Sequence, residues 1–257
     1  MPTEFTPIIL VIITFVLLWF MQRWVHTHLH GLALLLMGNA ERATILYALV
    51  LLPGVFLHES SHWLTAKILG VRTAGFSLIP RRQANGGVQL GYVQYYKTAA
   101  LGPIRESLIG GAPLIVGTAV ILLIGFQLFN LPELLIAIQA GDADMLSAAL
   151  RQLFEADDLF VWLYLIFAVA NAMMPSASDR RAWPAFLAMM GAAVAVLFIL
   201  DLQGVLWQGI GEPTAVIFGY LGLAFAMGVA VDFIAIVTLI MLETIVSKIR
   251  GVNIVYG

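Results

Sequence analysis

Apolar residues occur along this chain in blocks long enough to cross a bilayer, which takes about 17–25 consecutive residues. The blocks lie near residues 6–24, 43–69, 108–129, 159–176, 182–201 and 214–246. They predict about six transmembrane helices. The last block is too long for one perpendicular span at about 1.5 Å per residue, so it is expected to tilt, protrude or break at Gly219, Gly222 or Gly228. Residues 29–38, LHGLALLLMG, are too few to span and are expected to lie in the interface or re-enter.

Two segments between the blocks carry other periods. In the first, VRTAGFSLIP and GVQLGYVQYY flank the turn-like cluster RRQANGG. Val88, Leu90, Tyr92, Gln94 and Tyr96 alternate with Gln89, Gly91, Val93 and Tyr95, which predicts a short β-hairpin at the membrane surface. In the second, residues 131–158 show helical apolar spacing interrupted at Gly141-Asp142, which predicts one or two amphipathic interfacial helices.

Composition strengthens this picture. Apolar residues make up 61% of the 257 and charged residues 11%, and mean hydropathy is +0.96. A soluble domain of this length could not cover such a core with so little polar surface. The expected fold is therefore an all-α polytopic membrane protein carrying a small membrane-surface β-hairpin. The net charge of −2 provides no basic stripe for phosphates and argues against nucleic acid as a partner. There is no cysteine, so any metal must be held by His, Asp or Glu. Glu4 is the only early charge and no small-residue cleavage site follows the first block, which reads as a retained helix anchored by Trp19, Arg23 and Trp24.

Charge orients the spans. Arg72, Arg81, Arg82, Lys97 and Arg105 place residues 70–107 in the cytoplasm, and the acids of 130–158 place that segment outside. Arg180, Arg181, Lys248 and Arg250 are expected inside, while Arg23 and Arg42 fit the scheme poorly. Three regions follow: an N-terminal helix with an interfacial segment (1–42), a membrane core (43–185), and C-terminal transmembrane helices (186–257).

Within the second block stands His58-Glu59-Ser60-Ser61-His62, an H-E-x-x-H pattern. On a helix, positions i and i+4 share a face, so both imidazoles can reach one ion. Glu59 then projects beside that ion, where it can act as general base towards a water. Two imidazoles with one oxygen ligand suit zinc. The competing reading, polar residues merely bonding between helices, leaves a costly intramembrane glutamate without a role. The third ligand is sought among intramembrane acids. Asp179 lies near the cytoplasmic end of the fourth block behind Pro175, at the depth of the histidines, whereas Asp232 lies near mid-bilayer. Depth favours Asp179 and leaves Asp232 as an interhelical hydrogen-bonding or gate residue. His26, His28 and His30 read as interfacial histidines, with a second metal site as the lesser alternative.

With these residues in place, the chain resembles the site-2 protease family of intramembrane zinc metalloproteases, over residues 43 to 185. The resemblance rests on HESSH within a transmembrane helix ahead of a β-rich segment, on Gly110-Gly111-Ala112-Pro113 opening the third block, and on Asn171 eight residues before Asp179. It departs in the flank Ser178-Asp179-Arg180, where the family has Leu-Asp-Gly, and in Pro175 standing one place late. No PDZ insertion is present, so a compact form is implied. The resemblance makes His58, His62 and Asp179 the ligands of one zinc ion and Glu59 the general base. It assigns Asn171 to holding the substrate backbone or steadying an oxyanion.

The implied function is hydrolysis of a peptide bond within or near a transmembrane segment of a membrane-protein substrate. The membrane would be that of a bacterial or archaeal cell, with the site facing the cytoplasm. A substrate helix must unwind, and the 88–96 run is the candidate edge for pairing with it. Ser60, Ser61, Ser176 and Ser178 are expected to line a water path. Two other readings remain. A catalytically inactive scaffold or partner-binding relative is favoured by the Ser-Asp-Arg flank. A metal or proton transporter, with Glu59, Asp179 and Asp232 as a relay, would need polar residues on both sides of the midplane, and the first and third spans offer almost none.

Overall fold

The computed structural model describes residues 6–82, 88–96, 101–199, 203–252, 254 and 256. Helix α1 (Thr6–Met37) runs well past the end of the first apolar block. Residues 29–37, expected in the interface or re-entrant, are its last turns, because Leu29, Leu32 and Ala33 bury against the rest of the core. Gly38 at φ +63 ends the helix, and Asn39 caps α2 (Ala40–Ile68) by accepting the N–H groups of Glu41 and Arg42.

After α2 the chain forms the expected hairpin. Strand β1 (Thr73–Ser77) pairs antiparallel with β4 (Tyr92–Tyr95), and β2 (Arg81–Arg82) pairs with β3 (Val88–Gln89). The ladder breaks at Leu90-Gly91, so the alternation expected over 88–96 is interrupted there. The expected turn at 83–87 lies outside the described residues. Helix α3 (Gly102–Gln127) returns through the core. Two helices follow, α4 (Leu131–Ala140) and α5 (Ala143–Phe154). Gly141 takes φ +65, and Asp142 caps α5 by accepting from Asp144 and Met145 N–H.

Then come α6 (Leu159–Ala172), α7 (Trp183–Ile199) and α8 (Gln203–Arg250). By length and composition α1, α2, α3 and the Pro213–Arg250 part of α8 can cross a membrane. The 14 residues of α6 fall short of that length, at about 21 Å against a hydrocarbon core of about 30 Å, while the 17 described residues of α7 stand at its lower limit. Four of the six expected spans therefore have a helix long enough to cross.

Helix α8 does not break at its glycines. A Cβ on Gly222 would lie 3.2 Å from Leu10 and Val11, and one on Gly228 3.3 Å from Ala170 and Leu18. These glycines are seats for neighbouring helices. The order of those contacts also fixes direction. Gly222 meets Leu10, Gly228 meets Leu18, Glu243 bonds to His28 and Arg250 bonds to Leu36 O, so α8 runs parallel to α1. Its C-terminal end therefore sits beside the α1–α2 connection, at the opposite end of the bundle from the hairpin. The charge argument had put Lys248 and Arg250 on the hairpin side, whereas α8 carries them to the α1–α2 end.

Candidate metal centre at the end of α2

His58 and His62 stand one turn apart on α2, and a backbone carbonyl orients each. His58 Nδ1 bonds to Ala172 O at 2.6 Å, and His62 Nδ1 to Ile109 O at 2.7 Å. Both carbonyls are free for a local reason. Ala172 is the last residue of α6, where helix carbonyls have no intrahelical partner. Ile109 lies four residues before Pro113 in α3, and proline has no N–H to give it. With each Nδ1–H donated to a carbonyl, the lone pair is left on Nε2.

The two Nε2 atoms are 3.0 Å apart. Asp179 Oδ1 lies 3.3 Å from His62 Nε2, and Oδ2 lies 3.6 Å from His58 Nε2. Among the described residues this is where three potential ligand side chains gather, with ligand atoms within 4.8 Å of one another. Tetrahedral zinc with bonds of about 2.0–2.1 Å sets its ligands about 3.3 Å apart, and the observed separations bracket that value. Two imidazole lone pairs and a carboxylate are acceptors without a donor among them. Such a set is stable around a cation, and the residues fit one.

Asp179 arrives on the chain between α6 and α7. Ser176 N–H donates to Asp179 Oδ2 at 2.7 Å, and Asp179 N–H to Ser176 Oγ at 3.3 Å, closing a turn behind the carboxylate. Gly110 of α3 admits this turn, since a Cβ there would overlap the Asp179 carbonyl oxygen.

Glu59 is 7% exposed and lies under the hairpin. A Cβ on Gly91 would stand 2.8 Å from Glu59 Cγ and 3.1 Å from Ser77 O. The break between β3 and β4 thus lets bare backbone close over the glutamate. A cavity of about 460 Å³ connects His58, Glu59, His62 and Asp179 with the hairpin. Ser176 and Ser178 line it, as expected. Ser60 and Ser61 are not among its lining residues, and the Ser61 hydroxyl turns back to His58 O at 2.7 Å.

Asp232 is not part of the metal group. Its Oδ1 accepts from Asn171 Nδ2 at 2.6 Å. Asn171 also gives its second amide hydrogen to Phe167 O at 3.0 Å, so no side-chain N–H remains to steady an oxyanion. Its side-chain oxygen has no partner, which leaves the acceptor half of its expected role.

Sequence reasoning missed Gln22, His26 and Tyr47. Gln22 Nε2 donates to Ala170 O at 2.5 Å, while His26 bonds to Asn171 O at 3.1 Å and to the Tyr47 hydroxyl at 2.7 Å. Gln22, His26 and His58 thus take the last three carbonyls of α6, which would otherwise be costly in an apolar bundle. His26 and Tyr47 also line the cavity. His26 therefore lies inside the bundle, not at an interface. The available signal was the i, i+4 spacing of Gln22 and His26 in an apolar helix. His28 bonds to Glu243 at 2.9 Å and stacks on Trp24, and His30 lies edge-on to Tyr47. The three histidines do not gather into a second metal group among the described residues. Comparison with protein-family models, with curated proteins and with solved structures finds no match to this chain, so a reading of the site rests on its geometry and on the motifs that carry the family resemblance.

Proposed function

We propose that this chain is an intramembrane zinc metalloprotease that hydrolyses a peptide bond within or near a transmembrane segment of a membrane-protein substrate. One observation carries the reading. On a helix apolar enough to span a bilayer, His58 and His62 meet Asp179 of the α6–α7 connection at one point, and Glu59 lines the same cavity.

His58, His62 and Asp179 would hold one zinc ion and leave a fourth position open. Bound zinc supplies Lewis-acid chemistry, polarising the scissile carbonyl and making water easier to deprotonate. Glu59 takes the proton as a water oxygen attacks the carbonyl carbon, then delivers it to the amine as the C–N bond breaks. Burial among apolar side chains strengthens each of these interactions. The substrate must present an extended strand, because a helix satisfies its own carbonyls. Among the described residues β4 pairs only with β1, and Tyr92, Val93 and Tyr95 of β4 line the cavity, which suits strand addition. The cytoplasmic placement of the site follows from the basic residues of 70–107.

The test is cleavage of a panel of reporter-tagged transmembrane segments in proteoliposomes, with zinc content measured alongside. Glu59→Gln is expected to lower cleavage by about 10²–10⁴-fold with zinc retained. A wild type that binds zinc and cleaves none of the panel would instead favour the scaffold reading suggested by the Ser178-Asp179-Arg180 flank.

A further inference from the structure

Among the described residues Asp232 is the one buried acid that the chemistry above does not use, and its surroundings are incomplete. It is 0% exposed, in the apolar run AMGVAVDFIAIV of α8. Its Oδ1 accepts from Asn171 Nδ2, while Asp232 Oδ2 and Asn171 Oδ1 are both buried without a hydrogen-bond partner. No ion pair reaches Asp232 among the described residues. From α1, Gln22 and His26 are committed to the end of α6, and His28 to Glu243. Arg23 lies over the Trp19 ring. On α8 itself, Glu243, Lys248 and Arg250 lie 11 or more residues further along, at least about 16 Å by helical rise. An ionised carboxylate here would be a buried charge facing a second acceptor, a costly arrangement.

We propose that Asp232 is protonated and forms a neutral carboxylic acid–carboxamide pair with Asn171, and that through this pair it acts as a positioning residue for the C-terminal end of α6. One proton on Oδ2 makes it a donor and supplies the Asn171 oxygen with the partner it lacks, so two orphaned atoms are satisfied together. Gly228, one turn before Asp232, brings α8 close enough by admitting Ala170 against it. The pair holds Asn171, whose own carbonyl accepts from His26 and whose neighbour Ala172 orients His58. The pairing stands without a metal; its bearing on His58 deepens the protease reading and rests on it.

The experiment uses the full chain, metal-free, at neutral pH. Infrared difference spectra of wild type against Asp232→Asn are expected to lose the carbonyl stretch of a protonated carboxyl group. Loss of carboxylate bands instead would overturn the proposal. Hydrogen exchange over residues 170–174 gives the second arm. Asp232→Asn, which can form the equivalent amide–amide pair, is expected to match wild type, while Asp232→Ala exchanges there about tenfold faster or more. An Asp232→Asn protein that misfolds, or that exchanges like Asp232→Ala, would also overturn it. Because neither readout involves zinc, both decide the pairing even if the metal reading fails.

Discussion

Gly91 shows how much of the site depends on single atoms. It places backbone, with no side chain, against the aliphatic part of Glu59, so Gly91→Val must push either the glutamate or the hairpin aside. The expected outcome is a cleavage rate at least about tenfold lower, because a displaced base loses proton-transfer geometry, with zinc content unchanged since the atoms nearest an added Cβ belong to Glu59 and Ser77. Loss of zinc from this variant would mean that the hairpin supports the metal group itself. At this scale the sequence was most legible where chemistry and local geometry coincide. His58 and His62 could be paired from i, i+4 spacing alone, and Asp179 preferred over Asp232 from depth, and the structure brings His58, His62 and Asp179 together. Asn171 was legible as a residue of interest but not in its orientation, because its amide hydrogens are claimed by Phe167 and by Asp232, 61 residues away in sequence.

Among the helices, the candidate ligands are held by carbonyls that two sequence features set free. Pro113 exposes Ile109 O to His62, and the end of α6 at Ala172 exposes a carbonyl to His58. Pro113→Ala would return an N–H that competes for Ile109 O. It is expected to weaken zinc binding by about 10–100-fold, as loss of a ligand-orienting partner does, measured by chelator competition. The adjacent glycines give a paired comparison. Gly110→Ala would drive a Cβ into the Asp179 backbone, whereas Gly111 has nothing within 4 Å of an added Cβ. Gly110→Ala is therefore expected to lose zinc and Gly111→Ala to keep it; equal behaviour would show that Asp179 does not reach the site along this path. Gly-Gly-Ala-Pro was recognisable as a motif, but only the packing separates its two glycines. Helix lengths were less legible. Hydropathy alone ended the first span near residue 24, because the polar HTHLH stretch is shielded by α2, α6 and α8, contacts that a single-segment pattern does not contain.

For the whole molecule, the contacts of α8 with α1 override the charge rule at the C-terminus. The chain has no cysteine, so single-cysteine variants report sidedness cleanly. Arg72→Cys is expected to react with a membrane-impermeant thiol reagent from one side, and Asp157→Cys and Val252→Cys from the other. Labelling of Val252→Cys together with Arg72→Cys would contradict the parallel arrangement of α1 and α8 and restore α7 as a crossing. That His58, His62 and Asp179 together hold one zinc ion is the central proposal, and zinc content of the purified protein tests it most directly. Wild type and Asp232→Asn should carry close to one zinc per chain, and Asp179→Ala should carry almost none. A folded wild type without zinc, or an Asp179→Ala protein that keeps it, would contradict the account.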